Sequence, residues 1–553
     1  MVEKKLSRRF KLIIIVIAFV FSILVVRVIQ LMFFQKELLA STPQMQNYRE
    51  RGFVLDRNRE KMALSLETYS VYARPYEIEQ KKLTAKKLAA ILNMKYQDIL
   101  KLLGRNSPFI WIARQVDIKY IKALEELDLK GIYLEKEYKR YYPYGNLCSH
   151  VIGFSGIDNQ GLEGIEYYFD DFLLPKRADN KGIDYFTYSR GYTVVLTIDN
   201  YIQEIVEEEI ERARERTGAR LVTGAVMDPS TGEILALANK PDYDLNNFSK
   251  YSDSIKRNKT ITDTFEPGST FKIFIAAALI DNSLISEKDT FYCNGWIDVG
   301  DLVIHDTGVH GRVDFRQVLE RSCNVGMVSS VKRIDTTQLY EKLRDFGFGT
   351  PTGINLPGEA KGILRNPGDW SGVSKYAIAI GQEVSATPLQ LIAAASALAN
   401  GGDLMQPRII KQIEKPDGTI IKSYTPMKIR SVISKETSEL ILSILKGVIT
   451  ERGTGYKAYI DGYEIGGKTG TAQIADIENG GYLAGQFYSS FVGFIPVTKP
   501  RIVVLVTLDR PRGEVYGGGQ TAAPVFKNIV ERIAPYLNIL PSFSDIYVLK
   551  DEL

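Results

Sequence analysis

An uncharged run over residues 12–26, set directly behind Lys4, Lys5, Arg8, Arg9 and Lys11, constrains this chain more than any other feature. Apolar character resumes after Arg27 and continues through Phe34. At about 1.5 Å per residue, a helix over 12–34 is long enough to cross a hydrocarbon core of about 30 Å. The positive cluster ahead of it, with no matching cluster just behind, puts residues 1–11 in the cytoplasm and the body of the chain on the far side of the membrane. A cleavable leader would show a small-x-small site after the apolar run. Arg27 and Gln30 stand there among bulky residues instead, so the run reads as a retained single-pass anchor. Arg27 lies near the outer end, where its stem can carry the charge back to the interface; contact with a membrane partner is the sharper alternative.

Beyond the anchor, 45% of the 553 residues are hydrophobic and 10% aromatic, enough for large cores in two or more domains. The 70 Lys and Arg nearly balance 66 Asp and Glu, and no basic stripe is interleaved with aromatics, which argues against a nucleic-acid partner. The cysteines are Cys148, Cys293 and Cys323, and the histidines His150, His305 and His310. An odd cysteine count is no disulfide framework, and these spacings match no paired metal motif, so neither a metal nor a cofactor is expected. A Ser-His-Asp hydrolase remains possible by count alone.

Residues 36 to about 190 carry helical periodicity over 86–103 and a strand-like run over 131–134, the pattern of a separate α+β module. A second pattern starts at Gly191. A strand is expected over 193–198, a helix over 202–214, and a strand-turn-strand over 224–238 around Asp-Pro-Ser-Thr-Gly. Long apolar helices follow over 271–280 and 388–399, then strands over 487–495 and 501–508 and a closing helix over 524–533. No fixed-period repeat is present.

Chemistry concentrates in three short stretches. Glu266-Pro-Gly-Ser-Thr-Phe-Lys272 opens an apolar helix, and its spacing stacks Ser269 and Lys272 on one face, so that the amine reaches the hydroxyl. Free N–H groups at that terminus support an oxyanion and favour a neutral amine. A lysine near its ordinary pKa of about 10.4 is protonated at pH 7 and useless as a base, so burial and positive neighbours must depress Lys272. Ser329-x-x-Lys332 and Ser443-x-x-Lys446 repeat the spacing but lack the Pro-Gly start. The second stretch is Ser322-Cys323-Asn324 and the third Lys468-Thr469-Gly470-Thr471, in a strand-like context. Strict alternation puts both threonines on one face and Lys468 on the other, so an edge-strand twist is expected to let Lys468 reach round.

Ser-x-x-Lys, Ser-x-Asn and Lys-Thr-Gly in this order resemble the signature of penicillin-binding proteins and class A β-lactamases. Cys323 stands where the class A form has Asp, which favours the penicillin-binding group. Arg51-Gly-Phe-Val-Leu-Asp-Arg-Asn58, Arg140-x-Tyr142-Pro143-x-Gly145 and Gly161-Leu-Glu-Gly-Ile-Glu166 resemble the non-catalytic module of class B penicillin-binding proteins. Arg59 stands where that family commonly has Gly. Residues 488–494 and 500–508, Tyr516-Gly-Gly-Gly519 and Ala522-Ala-Pro-Val-Phe526 resemble the septal, cell-division type more than the elongation type. No PASTA-like repeat follows and no Glu-Asp-x-x-Phe glycosyltransferase signature precedes residue 190.

The resemblance implies an α+β multidomain chain: a tail over 1–11, a transmembrane helix over 12–34, a dimerisation or pedestal domain over 35–190, a transpeptidase domain over 191–535 and a tail over 536–553. The transpeptidase domain is implied to be an antiparallel sheet flanked by helices, like the serine β-lactamases. The activity implied is D,D-transpeptidation or carboxypeptidation of stem peptides ending in D-Ala-D-Ala, in the bacterial cytoplasmic membrane, with β-lactams as inhibitors. Strand polymerisation then falls to a SEDS-type partner, alongside division proteins. Ser269, Lys272, Ser322, Asn324 and Lys468 are the implied catalytic set and Thr469, Gly470 and Thr471 the substrate-binding set. Ser322 relays a proton to the leaving amine, Lys468 lowers the pKa of Lys272, and the N–H groups of Ser269 and Thr471 form the oxyanion hole. Elongation duty, a silent β-lactam sensor or scaffold, and a hydrolase are the alternatives. In a bacterial family the final Lys550-Asp551-Glu552-Leu553, which spells an endoplasmic-reticulum retention address, is a coincidence.

Other polar residues have plainer expectations. His305 and His310 belong to a packed or hydrogen-bonded loop, Cys323 is a small packed residue, and Asp228 and Asp306 are turn residues. Arg51, Asp56, Arg57, Glu163 and Glu166 form a buried charged network holding the two modules together.

Overall fold

A computed structural model of the protein describes residues 19–27, 30, 49–174, 189–300, 302–476, 479–513 and 515–542. Glu50–Pro175 and Arg190–Leu553 form one compact unit, and Met1–Arg49 with Lys176–Ser189 another. In the latter, residues 19–27 are helical with Phe19, Phe21 and Leu24 exposed, and Arg27 Nη1 donates to Gln30 Oε1 at 3.3 Å. Much of the expected 12–34 span, the 1–11 tail and residues 543–553 lie outside the described residues. Among the described residues no helix is long and apolar enough to cross a membrane.

The large unit is built on a five-stranded antiparallel sheet. Its order is Gly466–Ala475, Tyr482–Ile495, Ile502–Asp509, Leu221–Met227, Ile234–Lys240. The inner strands Ile502–Asp509 and Leu221–Met227 are buried along their whole length, which is why they read as continuous apolar runs rather than alternating ones. Helices Asn200–Thr217 and Gly518–Tyr536 cover one face. A Cβ at Gly224 would lie 2.6 Å from Val206, and one at Gly493 would lie 2.3 Å from Phe526, so both helices press close against the sheet. Helix Pro388–Ala399, started by a Thr387–Gln390 capping box and buried at every position, covers the other.

The N-terminal part joins this body through a second, seven-stranded sheet. Strands Ile420–Ser423, Ile410–Glu414, Thr193–Leu196, Val54–Leu55, Lys61–Ala73 and Ile110–Val116 follow in that order, with Ile132–Tyr141 also paired to Lys61–Ala73. The helical periodicity over 86–103 belongs to two helices, Lys81–Leu92 and Tyr96–Leu103, because Asn93 turns left-handed at φ +51° and stops the first.

The expected charged network divides in two. Arg51, fully buried, pairs with Glu166 and Asp170, and Arg140 Nε holds Glu166 Oε1 at 2.6 Å. Burial alone would raise the Glu166 carboxyl, but the two guanidinium groups pull it below its ordinary value. This set ties the N-terminal module to itself. The ties to the rest of the body come instead from Asp56 Oδ2, which accepts from Asn200 N at 3.1 Å, and from Arg57, 3.3 Å from Glu233. Glu163 is exposed and stands outside both groups. Arg59 takes φ +73°, the angle for which glycine is suited, and its guanidinium forks onto Glu414 at 2.8 and 2.9 Å.

Candidate active site

Ser269 and Lys272 lie where a 3-10 turn, Gly268–Phe271, runs into the buried helix Lys272–Asp281. A 3-10 turn eclipses side chains three apart, so the half-buried Ser269 sits more directly over Lys272 than a plain α-helical start would give. Gly268 has φ +56°, and a Cβ there would meet Ala472 Cβ at 3.0 Å and Thr471 O at 3.2 Å. That close approach brings the backbone of the Ser269 turn against the edge strand Gly466–Ala475.

Lys272 is fully buried. Its Nζ donates to Ser322 O and to Asn324 Oδ1, each at 2.6 Å, with a longer contact of 3.4 Å to Ser322 Oγ. Among the described residues it makes no hydrogen bond to Ser269, so the expected amine-hydroxyl contact is not closed in this state. A neutral amine has two N–H groups and one lone pair. The two short bonds use both N–H groups and leave the lone pair for an incoming hydroxyl proton.

Ser322 receives a second amine. Lys468 Nζ, also fully buried, donates to Ser322 Oγ at 2.8 Å and to Thr469 O at 3.1 Å. Ser322 holds φ +57°, a left-handed angle that costs a non-glycine residue about 1–2 kcal/mol. Cys323 then caps helix Asn324–Val331, its Sγ accepting from Gly326 N at 3.2 Å. Asn324 Nδ2 donates to His305 O at 2.8 Å, which fixes its amide so that Oδ1 faces Lys272.

Strand alternation holds without the expected twist. Lys468 and Gly470 share a face, and a Cβ on Gly470 would lie 2.9 Å from both Pro267 O and Thr270 Cγ2. The Ser269 turn and Ser322 are on the face of Lys468, so its side chain has no edge to round. Thr469 and Thr471 point the other way. Thr469 is buried with Oγ1 2.7 Å from Thr454 Oγ1, while exposed Thr471 accepts from Gly518 N through Oγ1 at 3.0 Å. The Tyr516–Gly519 segment closes over this face, with Tyr516 stacked on Phe487 at 3.9 Å.

Burial brings the Lys272 ammonium down to about 8, against smaller opposing effects from Asp306 and Cys323. Burial likewise depresses Lys468, and the charge of Lys272 depresses it further. The coupling expected from Lys468 onto Lys272 thus falls chiefly on Lys468, and the low pKa of Lys272 is a product of burial. Thr454, the Asp306 carboxylate and the His305 carbonyl belong to the site's surroundings without having been marked by any motif. Thr454 sits in a Thr-Gly stretch with no distinctive neighbours, and a backbone carbonyl leaves no sequence signal. Ser443 and Lys446 are turned to separate partners: Ser443 Oγ bonds Leu440 O, and Lys446 pairs with Glu464.

A serine at a helix start, a depressed lysine and a hydroxyl shared between two buried amines define a serine acyl-transferase site of the Ser-Lys type. The chain matches the penicillin binding protein transpeptidase domain over residues 222–531 and the penicillin-binding protein dimerisation domain over 46–181. It is 38% identical to stage V sporulation protein D of Bacillus subtilis (strain 168), over 90% of this chain and 80% of the relative. It is 30% identical to the peptidoglycan D,D-transpeptidase FtsI of Buchnera aphidicola subsp. Baizongia pistaciae, over 92% and 90%. The crystal structure of penicillin binding protein 3 from Mycobacterium tuberculosis superposes with a TM-score of 0.72 at 29% identity, over 90% of this chain and 98% of that one. Structures of that protein complexed with aztreonam and with ampicillin match equally well. The chain belongs to the penicillin-binding protein transpeptidases, with the dimerisation domain ahead of the transpeptidase domain.

Proposed function

We propose that the protein is a serine D,D-transpeptidase that crosslinks peptidoglycan stem peptides and is acylated by β-lactams. The observation that carries this reading is Lys272 Nζ, dry and depressed to about 8, with both N–H groups of its neutral form engaged one turn from Ser269. Lys272 takes the Ser269 proton as Oγ attacks the penultimate D-Ala carbonyl. The N–H groups of Ser269 and Thr471 hold the oxyanion, and the exposed Thr471 hydroxyl holds the terminal carboxylate, while the buried Lys468 serves Ser322. The C–N bond breaks, D-Ala leaves with a proton passed through Ser322, and an ester to Ser269 remains. A neighbouring strand's amine attacks that ester, its proton returns to Ser269 through the lysine, and a new amide is released. Asn324 orients Lys272; Thr469, locked to Thr454, and Gly470 hold the edge strand close.

The same reading places the protein in the bacterial cytoplasmic membrane through residues 12–34, with residues 1–11 cytoplasmic, a pedestal over 35–190 and the catalytic domain over 191–535 outside. It assigns a septal role beside a SEDS-type polymerase, on the resemblance of the 488–526 stretch. A second reading, crosslinking in a spore envelope, is favoured by the relative named for stage V sporulation. Fluorescent penicillin followed by intact-mass analysis and peptide mapping tests the chemistry. One adduct on Ser269, absent in Ser269→Ala, is expected; labelling that persists in Ser269→Ala refutes it. Crosslinked product from lipid-linked substrate with a polymerase separates a transpeptidase from a sensor or carboxypeptidase.

A further inference from the structure

The small β lobe beside Ser322 brings together residues far apart in sequence. Strand Thr290–Cys293 pairs with Gly311–Asp314, so that Cys293 lies opposite Gly311, next to His310. Between them the hairpin Trp296–Val299 and Leu302–His305 delivers Asp306, whose N–H donates to Gly295 O at 2.8 Å. Cys323 arrives from the cap of the helix behind. One ligand atom from each of Cys293, Asp306, His310 and Cys323 lies within 4.8 Å of the other three. Both thiols and the Asp306 carboxylate are fully buried. His310 Nδ1 is buried without a hydrogen-bond partner, 3.8 Å from Asp306 Oδ2.

The geometry points to a structural zinc site formed by Cys293 Sγ, Asp306 Oδ2, His310 Nδ1 and Cys323 Sγ. Two thiolates, an imidazole and a carboxylate are a donor set that suits Zn2+, and four protein ligands leave no open position. Bonds of about 2.0–2.3 Å in a tetrahedron place ligand atoms about 3.3–3.8 Å apart, so the widest pair draws in by about 1 Å. Cys293 Sγ already stands 3.5 Å from Asp306 Oδ2. Outer-shell contacts are in place: Gly326 N donates to Cys323 Sγ at 3.2 Å, and Val325 N to Asp306 Oδ2 at 3.1 Å.

The fold supplies the reason for a metal here. Among the described residues the outer hairpin buries only Val299 and Ile304, in a small cluster with Val328, while the strand pair beneath it is anchored in the main core by Val313; the outer hairpin therefore has little apolar packing of its own and gains from a staple. Binding of Zn2+ releases the two thiol protons to solvent, so the charge of the cluster stays the same and Lys272 gains no new positive neighbour. What the metal fixes is position. It ties the hairpin that ends at His305 to the Ser322–Asn324 segment, and His305 O is the acceptor that orients Asn324 toward Lys272. Sequence spacing argued against a metal because no Cys-x-x-Cys occurs; the paired strands do the work of a short spacing.

The test is metal content and cobalt spectroscopy on the full-length protein, detergent-purified under reducing conditions without a histidine tag and dialysed against dilute zinc. About one zinc per chain is expected, falling below about 0.1 in Cys293→Ser and His310→Ala, while His305→Ala, which removes the exposed neighbouring imidazole, keeps it. Cobalt-loaded wild type should give intense tetrahedral bands with thiolate charge transfer, a readout that needs no variant to fold. Zinc below about 0.1 per chain in fully reduced wild type overturns the proposal. So does a weak octahedral cobalt spectrum, equal loss in His305→Ala and His310→Ala, or a Cys293–Cys323 disulfide in the protein as purified. None of these readouts depends on transpeptidase activity.

Discussion

Raising the pH from 7 to 9 is expected to speed acylation of Ser269 by saturating penicillin about ten-fold, because the base must be uncharged to take the serine proton. Burial of Lys272 brings its ammonium from 10.5 to about 8, a difference of about 3 kcal/mol between its two protonation states. About one molecule in eleven then carries the neutral amine at pH 7 and about ten in eleven at pH 9. An ordinary lysine would be neutral in about one molecule in 3000 at pH 7, so burial multiplies the reactive form about 300-fold. The sign follows from the reacting form: the rate grows as pH rises through about 8, levels off above it, and is lost as pH falls. Rapid-quench acylation with a fluorescent penicillin at saturation gives the limiting rate, which separates the base from any effect of pH on capture of the penicillin. A flat profile between pH 7 and 9 would show that Lys272 is not the titrating base. A climb that continues without a plateau would show that its environment leaves it an ordinary lysine.

Gly518→Ala would put a Cβ 2.3 Å from both Gly470 O and Ser490 O, two backbone atoms that cannot swing aside. Loss of about 1–3 kcal/mol and at least a ten-fold slower acylation are expected, from thermal melts and rapid quench. Arg51→Met leaves Asp170 unpaired and Glu166 with Arg140 alone in a buried setting, which should cost about 3–5 kcal/mol in chemical denaturation, with the acylation rate of the folded fraction unchanged. Arg59→Gly relieves a left-handed angle worth about 1–2 kcal/mol and gives up a half-exposed ion pair with Glu414 worth about 0.2–1 kcal/mol. Its melting point should therefore stay within a few degrees of wild type.

The chemistry was more legible than the architecture that delivers it. Three short motifs named Ser269, Lys272, Ser322, Asn324 and Lys468, and the fold joins four of them through Lys272 and Lys468. The apolar runs over 224–238 and 501–508 read correctly as strands because they are buried on both faces and need no alternation to be recognised. The strand Lys61–Ala73 was missed. Its polar residues face two partners, Ile110–Val116 and Ile132–Tyr141, so neither a clean period of two nor a continuous apolar run marks it. Arg51 and Glu166 were legible as buried charges but not as partners internal to one module, since pairing across 115 residues is decided by the path of the chain. The cluster at Cys293, Asp306, His310 and Cys323 was invisible for the same reason.

Ser322 shows why one position in the site departs from local preference. A glycine would satisfy φ +57° at no steric cost, but it has no hydroxyl to place between the amines. At this angle the residue turns its carbonyl to Lys272, at 2.6 Å, and its Oγ to Lys468, at 2.8 Å, so one residue addresses both nitrogens. Because Oγ accepts from Lys468, its own hydrogen is free to go to the departing nitrogen of the substrate. On the proposed mechanism, strain and relay are thus two aspects of one geometry. In Ser322→Gly, relief of about 1–2 kcal/mol of backbone strain is offset by loss of a buried hydrogen bond worth about 0.5–1.5 kcal/mol, so stability should change by no more than about 1 kcal/mol. Acylation, deprived of its proton carrier, should slow by about 10²–10⁴-fold. A variant that loses stability and rate together would mean that Ser322 serves packing, and one that keeps its rate would move the relay to another group.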